Sequence, residues 1–200
     1  MAGAPHDEGE VMSTHGEKRG FVQIARTLRA PLLRYLQRQV GDQTMAEDLL
    51  QETLLRVGCG LSEFAGRASV KTWVFSIASN VAMDYLRQPA HRLMVVEIEE
   101  AANVPTDEVA LDDRLVIDEM NLCVREVIDS LSADYRTALI LHDFEGMSVE
   151  QTAEICQCAL PTAKIRIYRA RQRLKDALGR QCDFYRDSGN VFRCTRSIEG

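Results

Sequence analysis

The stretch Pro161 to Lys175, PTAKIRIYRARQRLK, carries six Lys or Arg and no acid, in a 200-residue chain of formal net charge −6. Cations this dense repel one another unless an anion neutralises them, and a nucleic-acid backbone is the polyanion that does so. Thr162, Lys164, Arg166, Arg169 and Arg173 supply hydroxyl, ammonium and guanidinium donors for phosphates and base edges. A second group runs from Phe64 to Asn80, with Phe64, Arg67, Lys71, Trp73, Ser79 and Asn80. Rings that stack on bases, cations for phosphates and an amide for base edges are what a single strand requires. A third group, Glu47, Asp48, Gln51 and Glu52, forms an acidic helical face suited to a basic protein surface or to plain solvation. A fourth is sulfur: Cys156 and Cys158 in ICQC, with Cys182 and Cys194 flanking DFYRDSGNVFR. Four thiolates there, with His142 as a further ligand, would hold Zn or another thiophilic metal. Intervals of 1, 23 and 11 residues match no standard zinc module, and spare reduced thiols fit equally. Phosphate-binding Gly loops, nucleophile–base pairs and zinc-protease signatures are absent from the sequence, which argues against an enzyme.

These groups need helices to position them. Leu, Ala, Arg and Glu are abundant while Pro is sparse, so the expected class is all-α. The acidic N-terminus MAGAPHDEGE is no secretory signal and no apolar run reaches membrane-spanning length, which implies a cytoplasmic chain. Residues 1–17 read as a disordered arm. From 18 to 90 the pattern predicts a helical domain. Leu28, Leu32, Leu33, Leu36 and Val40 form one stripe, with Pro31 in a first helical turn. Met45, Leu49, Leu50 and Leu54 form a second, and Trp73, Ile77, Val81 and Tyr85 a third. Trp73 reads either as core on that stripe or as a base-stacking ring.

Residues 91–121 read as an acidic linker, since 93–120 hold nine acids and one base, Arg114. A second helical domain is expected over 122–179: one helix from a Ser132 cap to Gly146, another opened by the Ser148/Gln151 capping box, then a turn into Pro161. In the last helix Ala163, Ile167, Ala170, Leu174 and Leu178 repeat at helical spacing, which buries one side and exposes the cations. Short helix, tight turn and basic helix make a helix-turn-helix. Residues 180–200 form a Cys-containing tail that alternates around DSGN as a β-hairpin, bringing Cys182 near Cys194.

The segments AEDLLQETLLRV, FAGRASVKTWVFSIASNVAMDYLR and LSADYRTALILHDFEGMSVEQTAEICQCALPTAKIRIYRARQRLKDAL resemble the two regions of extracytoplasmic-function (ECF, group IV) sigma factors of the sigma-70 family. The resemblance covers roughly residues 20–90 and 122–178. It implies a region 2 that binds the β′ clamp of core RNA polymerase through Glu47, Asp48, Gln51 and Glu52. That region would hold a flipped −10 base with the 64–71 loop and Asn80. It implies a region 4 that reads duplex −35 promoter DNA and touches the β flap, and a linker that runs through the polymerase cleft. No cofactor is required, and an anti-sigma protein, membrane-anchored in some systems, would mask both regions. Metal or redox control would come through the cysteines. The recognition helix departs from the family at Pro161 and at Ile165, which offers no hydrogen bond and suits only a thymine methyl. The alternative is a stand-alone helix-turn-helix regulator, for which residues 20–90 would have no use.

Overall fold

The structure, a computed structural model, describes residues 9–88, 124–186, 189–190 and 192–196. The linker expected at 91–121 and residues 1–8 lie outside the described residues. The chain divides into two compact units, Met1–Ala82 and Met83–Gly200.

In the first unit α1 (Gly9–Val40) packs against α2 (Gln43–Gly60). A short 3-10 turn, Leu61–Glu63, and the 64–69 loop lead to α3 (Val70–Arg87). Gly41, at φ +80°, ends α1, and the Asp42 carboxylate accepts from the Met45 N–H at 2.7 Å to cap α2. Leu28, Leu32, Tyr35 and Leu36 from α1 meet Leu49, Leu50 and Val57 from α2 and Val74, Phe75, Ala78, Val81 and Ala82 from α3 in one core. Tyr35 ties α1 to α3 twice. Its ring meets Phe75 edge-on at 5.3 Å, and its hydroxyl shares a 2.6 Å hydrogen bond with Ser79 Oγ.

Two expectations change here. Helix α1 begins at Gly9, so the disordered arm does not extend through residues 9–17. The stretch after Pro5 holds no further proline before Pro31, and a helix once nucleated propagates at little cost. Pro31 stands inside α1 rather than in a first turn. The lost N–H bond of its ring is tolerated where Leu28, Leu32, Tyr35 and Leu36 on either side are buried in the core.

The second unit contains a helix over residues 124–130, here α4, then α5 (Ala133–Leu139), α6 (Val149–Ile155) and α7 (Leu160–Gln181). Both α5 and α6 pack on α7. The predicted single helix from 132 to 146 is broken. Residues Ile140–Phe144 form a π turn, with Glu145 N–H donating to Ile140 O at 3.0 Å. His142 Nδ1, 2.8 Å from the Met147 carbonyl, and Gly146 at φ +66° close it. Ser132 stands at the α5 N-cap but its side chain makes no capping bond. The Ser148/Gln151 capping box forms in full: Gln151 N–H donates to Ser148 Oγ at 3.2 Å, and Ser148 N–H to Gln151 Oε1 at 2.9 Å.

Helix α6 runs to Ile155 with Cys156 as its C-cap, and Cys158 sits in the turn that follows. That turn passes through Gln157 in the left-handed region, φ +50°, and Cys158 N–H returns to Ala153 O at 3.0 Å. Pro161 lies in the first turn of α7, and Ala163, Ile167 and Ala170 are buried as the stripe predicts. A hairpin follows α7 directly, with β1 (Cys182–Arg186) antiparallel to β2 (Phe192–Arg196). Cys182 pairs with Arg196, and Phe184 with Cys194, so the two cysteine positions are diagonal across the ladder.

Candidate nucleic-acid and polymerase interfaces

Trp73, Ile77, Val81 and Tyr85 were expected to share one helical stripe. Only Val81 is fully buried, because the core takes the adjacent stripe of Val74, Phe75, Ala78 and Ala82. Trp73 and Ile77 instead line a cleft of about 380 Å³ together with Asn80, Arg56, Gly60 and Glu63. Gly60 lies against the indole, where a Cβ would meet the Trp73 ring at 3.4 Å, in van der Waals contact. Phe64 extends the apolar wall, its ring centroid 4.8 Å from that of Trp73 at a tilt of 33°. Ser69 Oγ accepts from Thr72 N–H at 3.0 Å and so caps the start of α3, fixing the loop that carries Arg67. Arg67 and Lys71 are exposed, and the Lys71 ammonium stands 5.7 Å from the Phe75 ring centroid.

Trp73 and Asn80 are thus brought to one cleft, with Phe64 against the Trp73 ring and Arg67 on the loop beside Phe64. The cleft offers a stacking face, an amide, a carboxylate and a guanidinium, which together can take a nucleobase. Ser79 does not join them: it is buried and bonded to Tyr35.

On α2, Glu47, Asp48, Gln51 and Glu52 are all exposed. Glu47 accepts from Gln43 at 3.2 Å, and Glu52 pairs with Arg56 at 2.8 Å. Leu55, 66% exposed, lies one turn beyond Gln51 and gives this acidic face an apolar residue. It was overlooked in the sequence because an isolated Leu amid helical Leu residues reads as core.

On α7 the open side carries Thr162, Lys164, Ile165 and Tyr168, all exposed. Tyr168, 64% exposed, was not expected there, and neither its type nor its neighbours in sequence signal it. The other cations are not simply solvated. Arg166 pairs with Asp134 at 2.9 Å, its side chain only 21% exposed. Arg173 stacks on the Tyr135 ring at 4.6 Å. Arg169 donates to the Tyr135 hydroxyl, which holds that phenol below its usual range, with the charges of Arg169, Arg173 and Arg166 adding to the effect. Arg171 makes a two-pronged pair with Asp143, its Nε 2.9 Å from Oδ2. Acids that the 161–175 segment lacks are therefore supplied by α5 and the π turn, 28 and 32 residues away in sequence. The expectation that only an external polyanion neutralises this helix is corrected accordingly.

Arg136 works inside the fold. It donates to the Asp129 and Leu131 carbonyls at the end of α4 and pairs with the Asp129 carboxylate at 3.6 Å. Burial raises the Asp129 carboxyl and lowers the Arg136 guanidinium from their ordinary values, each shift opposed by the partner's charge.

The proposed four-sulfur site does not assemble. Cys158 precedes α7 and Cys182 caps its far end. The 22 residues of α7 between them span about 33 Å at 1.5 Å each. Among the described residues, no three His, Cys, Asp or Glu side chains converge as metal ligands. The Cys194 side chain lies outside the described residues. Burial, assisted by the neighbouring Cys158, pushes the Cys156 thiol up to about 12. It stays protonated at neutral pH, a poor state for metal binding or redox sensing.

With this geometry established, known proteins can be compared. Residues 24–92 match the Sigma-70 region 2 family, and residues 121–174 match Sigma-70, region 4. The RNA polymerase sigma-H factor of Pseudomonas aeruginosa is 32% identical over 82% of this chain and 88% of its own length. The ECF RNA polymerase sigma factor SigX of Bacillus subtilis is 33% identical over 67% of this chain and 71% of its own. Among solved structures, the sigma factor RpoE of Bartonella quintana, crystallised with the anti-sigma factor NepR, matches at TM-score 0.62 and 29% identity. That match covers 80% of this chain and 98% of the other. The chain belongs to the ECF sigma factors of the sigma-70 family. It is therefore a non-enzymatic initiation factor that directs core RNA polymerase to promoters. Among the described residues, no helix is long and apolar enough to cross a membrane.

Proposed function

We propose that the two units divide promoter recognition between two forms of DNA. The cleft of Trp73, Ile77 and Asn80 receives a base flipped from the melted −10 strand, with Phe64 extending the stacking wall and Arg67 and Lys71 on flanking phosphates. Helix α7 enters the major groove of the −35 duplex, with Thr162 and Lys164 at base edges and Arg169 and Arg173 on phosphates. Tyr168 joins that face. The observation that carries the reading is the cleft itself. A ring wall and an amide in one hollow suit an unstacked base and have no use in duplex binding.

The α2 face of Glu47, Asp48, Gln51, Glu52 and Leu55 docks on the β′ clamp, combining charge complementarity with one apolar anchor. Region 4 touches the β flap. An anti-sigma protein holds the chain inactive, as NepR does in name for the Bartonella factor; in this reading the chain is cytoplasmic and needs no cofactor.

Transcription by purified core polymerase, with and without the chain, on a library of promoter fragments tests the function. New start sites that need both the chain and core support it. Unaided duplex binding with no change in start sites would instead favour a stand-alone regulator.

A further inference from the structure

Three of the cations on α7 converge on one dipeptide at the start of α5. Arg166 pairs with Asp134 at 2.9 Å, while Arg169 and Arg173 both engage Tyr135. The three stand at i, i+3 and i+7, a single face of the helix. The two anchors act in opposite ways. A carboxylate occupies the N–H edge of a guanidinium, the same edge a phosphate needs. An aromatic ring covers only the face and leaves the edge donors available, while removing rotamer freedom that binding would otherwise cost.

We infer that Asp134 and Tyr135 are positioning residues for DNA: Asp134 withholds Arg166 from phosphate, and Tyr135 presents Arg173 to it. This rests on the reading of α7 as the duplex-binding helix. Asp134 thereby weakens contact with arbitrary DNA, so that the free chain does not settle on it. Through Arg173, Tyr135 strengthens contact once the helix is seated. Both work through the arginines and need not touch DNA themselves.

The test is fluorescence anisotropy of the full chain on a labelled duplex over a salt series, with thermal unfolding measured in parallel. Asp134→Asn is expected to bind several-fold tighter at low salt. Its log–log salt slope should steepen by about 0.9, the increment for one further phosphate. Tyr135→Ala is expected to bind about three- to tenfold more weakly with its slope unchanged, because an immobilised side chain is worth about 0.5–1.5 kcal/mol and no charge is lost. Tyr135→Phe keeps the ring and should recover most of that loss. A merely structural role would lower the melting temperature and leave the slope alone. An Asp134→Asn slope equal to wild type overturns the first half, and wild-type affinity in Tyr135→Ala overturns the second. Lys164→Ala, lacking a cation on the open face, separates the two levels. If it too leaves affinity and slope unchanged, the duplex-binding reading fails and the inference with it.

Discussion

In the first unit the candidate DNA residues line a hollow whose back wall is the core helix α3. In the second they stand on the outside of α7, restrained by partners on α5 and the π turn. In the proposed reading the hollow would draw its specificity from shape and from one amide, and its ring wall doubles as packing. The convex helix draws on charge, and its cations come with counter-charges already in place. The first unit therefore risks its fold when its site is altered, whereas the second risks chiefly its affinity and salt response.

Thiol chemistry gives the largest contrast. Cys59 in the first unit is exposed, whereas burial in the second pushes Cys156 from 9.0 to about 12. A thiol held that high stays almost wholly protonated where an ordinary thiol begins to ionise. Iodoacetamide at mildly alkaline pH, read by mass spectrometry, should modify Cys59 and spare Cys156. Equal rates would show that the second interior opens as freely as a surface. Because the folded value exceeds the unfolded one, the stability contributed by Cys156 is complete below pH 9.0 and is lost as pH rises toward about 12.

Phe75→Ala comes next. Emptying that fully buried site should cost about 3–5 kcal/mol in the first unit, seen as an early transition in a urea melt. Duplex binding by the second unit should survive, and its loss in step would break the separation between units. Trp73→Ala should lower binding of forked −10 DNA by holoenzyme about tenfold or more, as base–ring stacking is worth about 1–3 kcal/mol. Trp73→Phe should recover part of this, and full −35 duplex binding should persist in both. A Trp73→Ala variant with normal open-complex formation would empty the cleft of its role. Ser148→Ala removes half of a capping box and should cost about 1 kcal/mol, visible as a lower melting temperature of the second unit with start-site choice intact.

The helix-turn-helix was legible because its signals are local. The capping box, Gly146, Pro161 and the Ala163–Ile167–Ala170 stripe each lie within a few residues of what they determine. The region 2 helices were legible for the same reason. What sequence could not supply were contacts between distant positions. Asp134, Tyr135 and Asp143 read as unremarkable helix residues until the fold sets them against α7. Trp73 and Ile77 shared a periodicity with Val81 that a rotation of one stripe redirected into a cleft, and apolar type alone cannot separate those neighbouring stripes. The sulfur site failed on a simple measure overlooked in sequence, the length of the rigid rod between Cys158 and Cys182.

The π turn at Ile140–Phe144 is, in effect, a one-residue surplus in a helix. Excising a single residue there would close the turn to ordinary i→i−4 spacing and change which residues stand opposite Arg171 and the Met147 carbonyl. Asp143 would then leave Arg171, and His142 would leave the Met147 carbonyl. The spacing between the Arg136 anchor and Gly146 is thus a count the chain must keep, tolerant of substitution but not of deletion.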